Sequence, residues 1–233
     1  MPSDQEVFQN NMNQGHSAVW DQDWEVAEKY YRKALEIMPD QTIALTSLGL
    51  ALFEQKKFDE ALIFYTKAAQ LSPNEPLAYE KMARIYARMG QVKKAIAASL
   101  QAGEQYLKIR DADKSIENYI NAINLQPDHL NARSRLALVY DRMGRTENAV
   151  IEYLAVASIL QRSGSLTKAS QAIDHCLKIN PTNEAAIKAR QMLDKNQLLP
   201  EPTRPEGVTA SVRMAEVHQM EEPIEKTKAN LDP

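Results

Sequence analysis

Four prolines of this chain, Pro39, Pro73, Pro127 and Pro181, stand 34, 54 and 54 residues apart. Proline lacks a backbone donor and clashes with the turn before it, so each one marks the end of a helix. Counting back from Pro73 gives Leu45, Leu48, Gly49, Ala61, Tyr65 and Ala68. The same count from Pro39 meets Gly15, Ala27, Tyr31 and Ala34 in the matching places. A chain whose small, large and helix-ending residues recur at a fixed step builds similar helical units, each of which buries its apolar face on the next. Asp40, Asn74, Asp128 and Thr182 directly follow the four prolines. Their short side-chain oxygens suit the N-cap of a new helix, which is expected to begin there.

This pattern resembles the tetratricopeptide repeat, whose period is about 34 residues. The resemblance runs from about residue 8 to 196, and residues 42 to 75 match its small, large and proline positions nearly throughout. Asn11 and Gln14 depart from it, standing where the family prefers large apolar residues. The resemblance implies an all-α, right-handed superhelical solenoid of antiparallel helix pairs. Close approach of paired helices needs small side chains, so Gly15 and Gly49 are expected to meet Ala27 and Ala61, with Tyr31 and Tyr65 filling the wider space one turn on.

The 54-residue step is a duplicated unit. Tyr86, Met89, Gly90 and Ala95 recur as Tyr140, Met143, Gly144 and Ala149, and Ser115, Tyr119 and Ala122 as Ala169, Ile173 and Cys176. Ala95, Ser99 and Ala102 read as the second helix of one repeat, whereas Ala102, Gly103 and Tyr106 read as the first helix of the next. One long helix over 92 to 109 therefore serves two repeats, and residues 146 to 162 do likewise. About eleven helices result, ending in one from Asn183 to about Asn196 whose Arg190, Gln191 and Asp194 make it a solvating cap. The solenoid with this cap occupies residues 1–196.

Residues 197–233 hold five of the eleven prolines, seven acidic and four basic side chains and no sustained helical period. Their expected state is a mobile, acidic tail or linker, docking if at all on Arg84, Arg88 or Arg142. Within it, Val212, Met214, Val217 and Met220 form a short amphipathic pattern that would fold on a partner. No apolar run approaches the ~20 residues that span a bilayer, so no membrane insertion is expected. Met1 to Gln14 is polar and carries Asp4 and Glu6 in place of a basic and apolar leader, which makes a cytoplasmic location the default expectation.

Catalytic and metal-binding patterns do not emerge, so no enzyme activity, cofactor or metal is expected. His16, His129, His175 and His218 lie far apart in the chain, and the single cysteine, Cys176, occupies a small packing position. Asp174, His175 and Cys176 are consecutive, which on a helix points them about 100° apart. Asp21 with Asp23, and Asp111 with Asp113, stand where one helix ends and another begins, so they read as caps. Neither a GxGxxG nor a Walker-type loop occurs. The repeats are electrically neutral and the tail is acidic, which disfavours nucleic acid.

Binding of another protein remains, and the resemblance implies a concave groove lined by the first helix of each repeat. By spacing, the groove residues are Met12, His16, Val19 and Trp20, then Thr46, Leu50, Phe53 and Glu54, then Glu80, Arg84 and Arg88. Lys108, Arg135, Arg142 and Arg162 follow and would pair with an acidic segment. The family's chaperone-tail readers carry lysine, asparagine and arginine at positions held here by Met12, His16, Ser47, Leu77 and Lys81. Only Lys81 fits, so a chaperone C-terminus is not the expected partner. The reading is a non-enzymatic scaffold or adaptor for an acidic or apolar peptide or helix, with homo-oligomers left open. The alternative is a structural subunit or assembly factor attached through its convex surface and tail.

Overall fold

A computed structural model describes residues 2–203. Among these residues there are eleven helices and no strand: α1 Asp4–Trp20, α2 Trp24–Ile37, α3 Thr42–Glu54, α4 Phe58–Leu71, α5 Pro76–Arg88, α6 Val92–Lys108, α7 Ala112–Leu125, α8 Leu130–Arg142, α9 Thr146–Arg162, α10 Leu166–Ile179 and α11 Glu184–Asp194. Each packs mainly on its neighbours in sequence, the arrangement of a solenoid. Helices α6 and α9, each 17 residues long, pack on both flanking helices to a similar extent. One long helix thus completes one repeat and opens the next, as the 54-residue step requires.

Two kinds of turn join the helices. At the prolines, Gln41, Glu75, His129 and Asn183 donate backbone hydrogen bonds of 3.0–3.4 Å to the carbonyls of Met38, Ser72, Gln126 and Asn180. Each is a four-residue turn with proline at its second position. Asp40, Asn74, Asp128 and Thr182 fall inside these turns, so the N-caps are the residues one further on, which corrects the sequence expectation. Proline takes the second position of the turn and the residue after it the third, so the next helix is capped one residue later. Elsewhere the chain reverses through a left-handed residue, a glycine at Gly90, Gly144 and Gly164. Asp23 and Asp111 cap α2 and α7, accepting from the backbone N–H of Val26 and Lys114.

The described core falls into four clusters of small, aliphatic and aromatic residues. A Cβ added to Gly49 would lie 2.8 Å from Tyr65, and one added to Gly103 2.5 Å from Tyr119. The nearest neighbours of the packing glycines are thus the tyrosines rather than Ala27 or Ala61. A flat ring slides over the bare backbone, and a methyl group there would displace it.

At the C-terminal end the structure departs from the expected boundary. Residues Gln197–Thr203 are not part of a free tail but run as an extended strap over α8, α9 and α11, with Leu199 buried against Ala157, Ile173 and Ala189. The expectation for residues 204–233, including the pattern at 212–220, lies outside the described residues.

Candidate protein-binding grooves

Phe53 on α3 is buried, with its ring 5.7 Å from that of Phe58. From α5, the guanidinium groups of Arg84 and Arg88 lie 5.5 and 4.8 Å from its centroid, within the range of cation–π attraction. Neither arginine has an ion-pair partner among the described residues. The ring therefore organises two cations that no described carboxylate pairs. Leu50 is half-buried and Glu54 exposed.

The remaining sequence-derived groove residues fare differently. Met12 is core, not surface. His16 is exposed, with Nδ1 2.8 Å from the Tyr31 hydroxyl, so it ties α1 to α2. Trp20, at the end of α1, is 88% exposed. Arg142 does not join Arg84 and Arg88. It borders a separate, largely apolar depression between α6, α7 and α8, beside Leu107, Leu138 and Met143.

A cavity of about 300 Å³ opens beside Arg84, where Glu80 and Lys81 of α5 face Asn118, Asn121 and Asn124 of α7 across α6. The three asparagines recur every third residue and so share a helix face. Burial lowers the Lys81 ammonium pKa, and the neighbouring Glu80 carboxylate opposes that shift. Carboxamides both donate and accept, which matches the alternating groups of a peptide main chain. The second 54-residue unit differs at this place. At the places of Ala87, Ser99 and Asn121 it carries Asp141, Tyr153 and His175. There His175 Nε2 lies 2.8 Å from Asp141 Oδ2 and its ring 4.6 Å from that of Tyr153, so side chains fill the space. Burial and the Asp141 carboxylate push the Tyr153 hydroxyl up to about 12. The asparagines went unnoticed in the sequence because α7 is a second helix, normally outside the groove. The Ser99-to-Tyr153 exchange was the signal that would have found the cavity.

A second groove lies along α8, α9 and α11. Its floor holds a buried ion pair, Arg133 Nη1 to Glu152 Oε2 at 2.8 Å. Arg133 Nε also donates to the Pro127 carbonyl at 2.7 Å and its other terminal nitrogen to the Thr203 carbonyl. Burial raises the Glu152 carboxyl pKa, with Arg133 opposing. Sequence reasoning missed this pair. Its one trace was a carboxylate, Glu152, on the stripe of α9 otherwise made by Ala149, Ala155 and Val156. Arg84, Arg88 and Arg142, the cations expected to hold the tail, do not touch Gln197–Thr203, whereas Arg133 and Arg162 do.

Among the described residues no three His, Cys, Asp or Glu side chains gather as metal ligands, and no helix is long and apolar enough to cross a membrane.

Tetratricopeptide-repeat family models match residues 12–76 and 100–165, residues 52–110 and residues 153–183, more than half of the chain. Anaphase-promoting complex subunit 3 of Schizosaccharomyces pombe is 22% identical over 158 residues, covering 62% of this chain and 24% of the relative. The human protein O-mannosyl-transferase TMTC3 is 25% identical over 215 residues, covering 90% and 21%. The chain thus spans a quarter or less of these curated relatives. A solved TPR repeats protein from Bacteroides fragilis overlays with a TM-score of 0.48 at 16% identity, covering 81% of this chain and 98% of that one.

Proposed function

The chain belongs to the tetratricopeptide-repeat family of protein-interaction scaffolds, and we propose that it is a non-enzymatic adaptor whose α3–α5–α7 face holds an extended partner segment bearing a carboxylate. The observation that carries this reading is the pair of arginines held over Phe53 with no acidic partner among the described residues, beside a cavity walled by three asparagines. The arginines supply charge-assisted hydrogen bonds to a carboxylate, and the asparagines take main-chain groups. His16, Trp20, Leu50 and Glu54 are proposed as the N-terminal continuation of this face, and the cytoplasm as the compartment. Affinity capture with the wild-type chain and with Arg84→Glu/Arg88→Glu, read by mass spectrometry, tests it. Loss of a specific protein from a variant that keeps its melting temperature is expected. Identical captured sets would sink the proposal.

Permanent residence in a larger complex is the second reading. Ile43, Ile63 and Ile151 are more than half exposed, which suits a covered surface. A purified chain that is monodisperse at high concentration would count against it.

A further inference from the structure

The strap Gln197–Thr203 is held by its main chain. Gln161 accepts from Leu199 N–H through Oε1 and donates through Nε2 to the Gln197 carbonyl, both at 2.8 Å. Ser158 donates to the Pro200 carbonyl at 2.6 Å, Arg162 to that of Leu199 at 3.1 Å, and Arg133 to that of Thr203. Four carbonyls and one N–H are thus read by side chains of α8 and α9. Pro200 and Pro202 keep the segment out of a helix and leave those carbonyls free of intrasegment bonds. Only Leu199 is sunk in an apolar pocket, at 2% exposure; its neighbour Leu198 is 63% exposed.

The receiving side chains are specific to this groove. Glu152, Ser158, Gln161 and Arg133 stand where the first 54-residue unit has Ala98, Glu104, Leu107 and Tyr79. Ser158 and Gln161 are nearly buried, and buried polar groups without partners are costly. Besides the strap, about 370 Å³ of open space remains along α9 and α11.

We propose that the groove of α8, α9 and α11 is a binding site for extended Leu-Pro-acidic-Pro segments, and that the chain's own Leu199–Thr203 occupies it in cis as a resident competitor. Tethering by the short link from α11 gives the strap an effective concentration of about millimolar, so even weak intrinsic affinity keeps the groove closed. A free segment then meets only the small open fraction, and its apparent affinity falls accordingly. The proposal is independent of the α3–α5–α7 face.

The test uses the full chain and a fluorescent peptide of its residues 197–207, followed by anisotropy. Leu199→Asp expels the strap without shortening the protein. This variant should bind the peptide at least tenfold more tightly than wild type, and adding Gln161→Ala should abolish that gain. Arg84→Glu/Arg88→Glu should change neither result. Leu199→Ala serves the same purpose if the aspartate variant is not helical by circular dichroism. Folded variants that bind no better than wild type, or a gain that survives Gln161→Ala, would overturn the proposal. Unfolding of both Leu199 variants would also overturn it, since the strap would then be an indispensable part of the core.

Discussion

The backbone of Gly103 lies against the ring of Tyr119 so closely that a Cβ at that position would be 2.5 Å from Cε1. Tyr119 is itself 1% exposed and has nowhere to retreat. Gly49 stands in the same relation to Tyr65, which identifies α6 as the first helix of a pair with α7 as well as the partner of α5. Leucine at Gly103 or Ala102 should therefore cost about 1–3 kcal/mol through overpacking. Leucine at half-buried Gln101 should change stability by no more than about 0.5 kcal/mol. Urea denaturation of the three variants gives the comparison. Equal losses would mean that α6 is packed on one side only.

The Arg133–Glu152 pair should show strong non-additivity. Removing either partner alone leaves an uncompensated buried charge, a loss of about 3–5 kcal/mol. Replacing both with apolar residues of similar size should cost much less than the two single losses together. A double-mutant cycle in denaturant measures the difference, and additive losses would contradict the burial seen here.

Trp20 and Phe53 should part company on alanine substitution. Trp20 is almost fully exposed, so its removal should leave the melting temperature unchanged. Phe53 is 5% exposed within the core cluster, and its truncation should lower stability by about 3–5 kcal/mol. Phe53, a groove residue by spacing, is thus also part of the core. Its role at the groove runs through the arginines it holds.

Burial pushes the Cys176 thiol up to about 12. At pH 8 it should be almost wholly protonated and unreactive towards a disulfide reagent until the chain is unfolded. Rapid labelling of the native protein would show that α10 opens readily.

Burial pushes the Glu28 carboxyl pKa upward, but hydrogen bonds from Lys57, Arg32 and Gln55 outweigh it and hold the value below 4.5. A depressed folded-state pKa gives stability that is present above the unfolded value and is lost as pH falls through the folded one. The stability difference between wild type and Glu28→Gln should be constant near neutrality and shrink below about pH 4.5. Thermal melts across that range check the sign.

The helices, their order and the two shared ones were legible because their signals are local. Prolines end them, glycines reverse them, and small residues recur on one face, so α9 begins and ends where the 54-residue step places it. The proline turns were misread by one residue, because the turn itself takes the position after proline. Part of the candidate face was named by spacing as well: Arg84 and Arg88 both lie over the Phe53 ring. Asn118, Asn121 and Asn124 were not, since the doubled use of α6 brings a second helix to that face.

The sequence by itself determined the class of fold, since a periodic pattern of small and apolar residues permits few packings and each contact spans one helix pair. Tertiary structure alone decided what fills the grooves. Arg133 reaches the Thr203 carbonyl 70 residues away and Gln161 grips a segment 36 residues on. The strap's composition reads as tail, poor in apolar area and broken by proline. It docks through bonds from buried Ser158 and Gln161 to its main chain, an account no local pattern contains.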